Sequence, residues 1–459
     1  MSCRFAGCAT PGKLWRTVME RKIQLTTPGP DIELPIGRSG VFGARYPAKV
    51  GQLGSLYSYV PQEQLHPSRQ KNAGENQDLY FATQLAFDAL RDASMSPNVP
   101  YTVNGTVRIG YAPPFNASTV NWLQHTSFLD QTMDIIRRFM RGAPESAIDN
   151  VRTKLVESLP APNAASFLLG AGYRFASWIA RSCSFGGAAT ITDAGMISAA
   201  AAIENAIDDL ETGRADVALA GAMTPPLSRA YLEGVAGEVE FSSKPELHPF
   251  AQEQDGTMPG EGGAFFVLKR RADALRDHDR IYALIRSVAI GHNSEDDPSA
   301  IFSTALERAG VTPATIGLIE ADGSCIAAAE ARELKAIQKI WGEHRPGAPL
   351  VGVGSVKGNI GHTLHAAIAA GLVKTALALR HRVLPPQIGA QRPIECASNV
   401  SSAVYLLNEA RPWIAASNAA PRRAAVMGAN FDPINPVGNA ARSGRSAVII
   451  LEEEPESRQ

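Results

Sequence analysis

Short β-branched apolar runs alternate with longer stretches whose apolar residues recur three and four apart, and this alternation leaves few folds open. Val217 to Ala220, Ala264 to Leu268, Ile316 to Ile319, Leu350 to Val353 and Ala447 to Leu451 read as buried parallel strands. Asp78 to Asp92, Ser198 to Leu210 and Glu330 to Ile340 carry the helical spacing. Strands separated by helices point to an α/β class with a largely parallel sheet. The 459 residues, 45% of them hydrophobic, suffice for one large α/β unit or two fused domains. A Gly-rich turn feeds a strand over Glu261 to Leu268, and charged Lys269 to Arg280 leads into another at Ile281 to Ala289. The chain is therefore divided into an N-terminal half, 1–262, and a C-terminal half, 263–459, forming one integrated unit. Residues 99–163 are less regular and include an amphipathic piece at Thr132 to Met140. They are expected to be an insertion covering a partner or a pocket.

The net charge of -1 argues against nucleic acid as a partner, because phosphate binding leaves a basic excess. Lys269-Arg270-Arg271 and Arg422-Arg423 are short enough to be solvated helix ends or loops. The five cysteines, Cys3, Cys8, Cys183, Cys325 and Cys396, are scattered without a CxxC pair. That fits a reduced cytoplasmic protein with neither a disulfide framework nor zinc. The opening residues lack the apolar core of a signal peptide. No window reaches the ~18 to 20 apolar residues of a membrane span.

The sharpest motif is Ser355-Val356-Lys357-Gly358-Asn359-Ile360-Gly361-His362, followed by the small-residue helix Ala366 to Leu379 and then Arg380-His381 and Leu384-Pro385-Pro386. It closely resembles the SVKxNIGH motif of β-ketoacyl synthases. Other anchors agree with that family. Ser2-Cys3-Arg4-Phe5-Ala6-Gly7 with Trp15 is similar to its CRFPG opening. His248-Pro249-Phe250 through Asp255-Gly256 to Gly260-Glu261-Gly262 is similar to its RPFD…DG…GEG stretch. Leu210 to Gly213 with Asp216 to Gly221 resembles the pattern after its nucleophile helix. The resemblance implies a thiolase-like duplicated fold with αβαβα layers, usually dimeric. The family's dimer interface would fall at about Phe185 to Leu210.

The family's active residues are where the resemblance breaks. Counting back from Leu210 and Gly213, Asp193-Ala194-Gly195-Met196 stands where the family has its Asp-Thr-Ala-Cys. Met196 replaces the nucleophile, and a thioether has no ionisable proton with which to form a thioester. Cys183, thirteen residues upstream, is either a rescue nucleophile or a buried free thiol, and the second fits better. Glu320-Ala321-Asp322-Gly323-Ser324 stands where the family has Glu-Ala-His-Gly-Thr, so Asp322 replaces a thioester-binding histidine. A carboxylate there would repel a developing enolate unless it stayed protonated. His362 is kept. Glu333 falls on the family's second acid and is expected to pair with Lys357 in a structural ion pair. Met427 to Asp432 departs from the family's glycine-rich gate and leads into a Pro/Asn/Gly stretch.

What the resemblance implies is an acyltransferase-type fold without its condensing cysteine. Chain-length factors of polyketide synthases also replace the nucleophile, and several have Glu-Ala-Asp at the position of Asp322, although they usually lose the His that this chain keeps. The leading expectation is a non-condensing subunit of a polyketide or fatty-acyl system, a chain-length-factor-like partner of an active ketosynthase, as a heterodimer, with a homodimer as the other arrangement. The rival is a repurposed enzyme for acyl transfer, cyclisation, dehydration or malonyl decarboxylation, with His362 as base and protonated Asp322 as acid. A structural scaffold that keeps His362 and Lys357 as remnants is the plain third reading. No cofactor or metal is expected. The substrate would be a phosphopantetheine-tethered chain on an acyl carrier protein.

Overall fold

The computed structural model describes residues 1–29, 32, 46–54, 77–96, 103–111, 123–159, 172–236, 239–293, 297–344, 349–389, 392–395, 402–415, 420–430 and 444–455. The first half contributes β1 (Ser2–Phe5), β2 (Gly105–Gly110), β3 (Ala189–Thr192), β4 (Val217–Thr224) and β5 (Gly262–Leu268). They form one sheet in the order β1-β5-β4-β2-β3. The second half contributes β6 (Leu284–His292), β7 (Ile316–Glu320), β8 (Val351–Gly354), β9 (Val383–Leu384), β10 (Val404–Leu406), β11 (Arg411–Pro412), β12 (Arg423–Ala429) and β13 (Arg445–Glu452). Its sheet runs β10-β8-β7-β12-β13-β6, and β9 pairs separately with β11.

The two sheets repeat one plan. Numbered within each half, and setting β10 aside, the strands run third, second, fourth, fifth, first. The third, second and fourth are parallel, and the fifth is antiparallel to both its neighbours. This is the duplicated fold that the resemblance implies. The sheets are largely parallel, as expected, but Ala264–Leu268 and Ala447–Leu451, expected as parallel strands, lie in β5 and β13, which run against their neighbours. Strand direction was hidden because a strand buried between layers is apolar on both faces whichever way it runs.

Two further expectations change. The division at 262/263 cuts through β5, which pairs with β4 and β1. The first half thus extends through Leu268, and the second sheet begins only at Leu284. The expected insertion over 99–163 contains β2, a central strand of the first sheet. Its apolar run is broken by Arg108, whose guanidinium pairs with the buried Asp209 at 2.7 Å, so the strand lacked an uninterrupted signature. Beyond β2, helices Leu129–Phe139 and Glu145–Ser158 pack together around Leu129, Met133 and Ile148. The first of these contains the expected amphipathic piece and leaves Ile135 and Phe139 exposed.

Between the sheets lie two equivalent helices, Ser198–Glu211 and Ala367–His381, each linking the third and fourth strands of its half. Their Ala-rich faces let backbones approach closely. Gly110 is required for this, since a Cβ there would lie 2.6 Å from the Ser198 carbonyl carbon. Ala199, Ile203 and Leu210 from one helix share a core with Ala369, Val373 and Leu377 from the other. Outer helices Gln77–Asp92 and Gly172–Ser182 cover the first sheet, and Ser299–Ala309 and Ala327–Trp341 cover the second. The layers are therefore αβαβα.

Candidate active site

Both middle helices begin at the same place in the fold, and the expected site residues gather there. Met196 lies two residues before Ser198–Glu211, in a tight turn. Gly195 has φ +64°, its N–H donates to Asp193 Oδ1 at 3.0 Å, and the Ser198 hydroxyl donates to its carbonyl at 2.6 Å. Met196 is buried among Val50, Leu227, Tyr231, Phe241 and Leu364. A thiol at this helix start would have gained from the partial positive charge of the free N–H groups. The thioether of Met196 packs in this apolar cluster. Cys183 packs in a separate cluster with Ile179, Phe185 and Val217, so it is no substitute nucleophile for the Met196 site. Cys3, Cys8, Cys183 and Cys325 are buried and form no disulfide, and Cys396 lies outside the described residues.

Asp322 follows β7 and Lys357 follows β8, so neighbouring parallel strands deliver them side by side. Lys357 Nζ donates to Asp322 Oδ1 at 2.6 Å and also to the Asp322 carbonyl oxygen. This corrects the expected Glu333–Lys357 pair. Glu333 instead accepts the backbone N–H groups of Asp322 at 2.5 Å and of Gly323 at 3.0 Å. Three residues earlier on the same helix face, Glu330 accepts from Cys325 N at 2.8 Å and Phe250 N at 2.7 Å, and also from the Gln254 side chain. Two acids of one helix start thus strap the loop that presents Asp322. Burial raises Glu330 to about 7, and burial together with the Asp322 carboxylate raises Glu333. Behind them, Glu320 pairs with the fully buried Lys374 at 2.5 Å and accepts Val356 N at 2.7 Å.

His362 is clamped by its backbone, donating to Met258 O at 2.7 Å and accepting from Gly260 N at 2.8 Å. Its Nδ1 accepts the Leu364 N–H at 3.0 Å, which puts the ring proton on Nε2 in the neutral form. Burial, and then the Lys357 charge, push its titration well below the usual imidazole range. His362 is therefore built as a neutral Nε2–H donor, and the assignment as a general base is corrected. Asp322 is held in its ion pair with Lys357.

The C-terminal loop joins these parts. Ala429 N donates to Asp322 Oδ1 at 3.4 Å, and the Asn430 amide donates to Ala194 O at 3.1 Å. A Cβ on Gly195 would come within 2.8 Å of Asn430 Oδ1, so a side chain there would push the Asn430 amide away from the turn, at a φ of +64° that already favours glycine. Residues 431–443, which include the Pro/Asn/Gly stretch, lie outside the described residues. Sequence reasoning missed His365, whose signal was its place three residues after His362 at the same helix start.

A cleft of about 960 Å³ opens toward the other ends of the middle helices, lined by Leu210, Phe266, Leu268, Leu372 and Ala376. None of the expected site residues lines it. Its cations are already matched: Lys269 with Asp277 and Asp279, Arg271 with Glu454, and Arg280 with Asp92. Lys269-Arg270-Arg271, expected as a solvated helix end or loop, joins β5 to helix Arg271–Arg276, with Lys269 largely buried against its acidic partners and Arg271 half exposed. No helix among the described residues is long and apolar enough to cross a membrane.

The fold is the thiolase-like fold of ketosynthase-type domains. Residues 155–274 match the family model of the beta-ketoacyl synthase N-terminal domain, and residues 284–391 that of the C-terminal domain. The chain thus carries both parts of a beta-ketoacyl synthase domain of the kind found in polyketide synthases. It is 32% identical over 280 residues to a mycocerosic acid synthase-like polyketide synthase of Mycolicibacterium smegmatis, covering 59% of this chain and 12% of that protein. A non-reducing polyketide synthase of Macrophomina phaseolina is 27% identical over 444 residues, covering 91% of this chain and 17% of that protein. The chain therefore spans only about an eighth to a sixth of the length of these relatives. Among solved structures, the ketosynthase from module 6 of the bacillaene synthase of Bacillus subtilis 168 superposes with a TM-score of 0.75 at 22% identity. That superposition covers 99% of this chain and 71% of the other.

Proposed function

We propose that this chain is a non-condensing ketosynthase-fold subunit of a polyketide or fatty-acyl system, a chain-length-factor-like partner of an active ketosynthase. The observation that carries this reading is Met196, buried at the head of the middle helix where an acyl-accepting thiol would have to stand. Acyl transfer to the protein needs an ionisable nucleophile, and the thioether of Met196 is not one. The Lys357–Asp322 pair and its two glutamate straps are nevertheless fully built, which favours a pocket in use over a decaying scaffold. The substrate is an acyl chain tethered through phosphopantetheine to an acyl carrier protein. β3, an outer strand of the first sheet next to the Met196 turn, is the natural edge for a dimer partner.

Light scattering of the protein alone and co-expressed with an active ketosynthase tests the partnership. The reading expects a stable 1:1 heterodimer whose product length changes when this subunit is altered. A homodimer that ignores ketosynthases and processes a carrier-bound chain by itself would favour the enzymatic rival.

A further inference from the structure

His365 has no part in the arrangement above, although it stands at the head of Ala367–His381 as Met196 stands at the head of Ser198–Glu211, each two residues before its helix. It is buried, and both ring nitrogens face polar groups. Nε2 lies 3.8 Å from Asp193 Oδ1, and Nδ1 lies 3.4 Å from the Tyr231 hydroxyl. Asp193 opens the turn that presents Met196 and is 61% exposed, whereas Tyr231 packs in the same apolar cluster as Met196. The carboxylate favours a proton on Nε2, leaving the Nδ1 lone pair toward the phenol. The order carboxylate, imidazole, hydroxyl is that of a proton relay. Burial lowers the titration of His365, with Asp193 opposing, so the ring is neutral and able to accept a proton at pH 7.

We propose that Asp193, His365 and Tyr231 form a proton relay at the Met196 pocket, and that it enolises a β-ketoacyl thioester without covalent attachment. This rests on the reading that the pocket receives acyl chains. The Tyr231 oxygen takes a proton from the carbon between the two carbonyls as its own proton moves to His365 Nδ1. The C–H electron pair becomes the enolate, whose oxygen accepts the His362 Nε2–H. The imidazolium stands beside Asp193 until the proton returns through Tyr231, either to the same carbon or to the alkoxide formed when that carbon adds to a more distant ketone of the chain. Protons and electrons balance without a further reactant.

The test is enzyme-dependent deuterium exchange at the α-carbon of acetoacetyl-N-acetylcysteamine, followed by NMR, with binding of the same probe measured by saturation transfer. The wild-type protein is expected to raise the rate above buffer, and His365→Ala and Tyr231→Phe each to remove roughly 10²-fold of that increment. Members of one relay act as a unit, so the double variant should be no worse than either single one. The titratable groups facing His365 are Asp193 from the turn before Ser198–Glu211, Tyr231 from helix Arg229–Ala236, and His362 from its own segment. Asp193→Asn, at an exposed position, removes the group that raises His365, so the midpoint of the pH–rate profile should fall. His365→Gln replaces His365→Ala if the smaller side chain unfolds the protein. A probe that binds while its exchange is unchanged by these substitutions overturns the relay and leaves the acyl-pocket reading intact. A probe that does not bind overturns both.

Discussion

At the scale of single residues, the site is a set of buried charges that stand only in company. Lys357 and Asp322 are each under a tenth exposed and separated by 2.6 Å. Removing one partner strands the other, so Lys357→Met should destabilise the protein by about 3–5 kcal/mol in urea unfolding, and adding Asp322→Asn should recover part of that loss. Glu330 gives a pH signature. Its folded-state value of about 7 exceeds that of a free carboxyl because burial disfavours the anion. Between about pH 4.5 and 7 the folded state holds a proton that the unfolded state has lost, so stability falls as pH rises through that window, by about 3 kcal/mol in all. Glu330→Gln should flatten this slope when unfolding is measured at pH 5 and pH 8. The sequence made Met196, Asp322 and His362 legible as departures or survivals at known spacings. It could not show that Lys357 turns to Asp322, because which of two nearby acids meets an ammonium depends on a loop geometry set by the amides that Glu333 accepts.

At the scale of elements, the runs that read as strands were strands, at Val217–Thr224, Gly262–Leu268, Ile316–Glu320, Val351–Gly354 and Arg445–Glu452. The helix expected over Ser198 to Leu210 runs Ser198–Glu211. Direction was not legible, since buried strands lose the alternation that would mark a face. Nor was β2, a six-residue strand whose Arg108 is satisfied by a distant helix rather than by solvent. The contact of β2 with the first turn of Ser198–Glu211 is tight enough to test. Gly110→Val would drive a side chain into the Ser198 backbone and should cost about 3 kcal/mol or more, seen as a fall in melting temperature. The same contact sets the height of the Met196 turn over the sheet, so hydrogen exchange at 193–197 should rise in that variant.

At the scale of the whole molecule, duplication is what makes the site. Two copies of one strand plan face each other across two middle helices, and the heads of those helices bring residues more than 160 positions apart in sequence, Met196 and His362, to one junction. The second copy carries His362 and Lys357, while the first places the thioether of Met196 at its helix head. The central claim is therefore that the fold is intact and that Met196, at the head of the first middle helix, cannot accept an acyl group. Intact-mass measurement after incubation with an acyl-carrier-protein thioester tests this, comparing the wild-type protein with Met196→Cys. The account predicts no acyl adduct on the wild-type chain and a single adduct on Met196→Cys, mapped to residue 196. An adduct on the wild-type chain at Cys183 or any other native residue would contradict it.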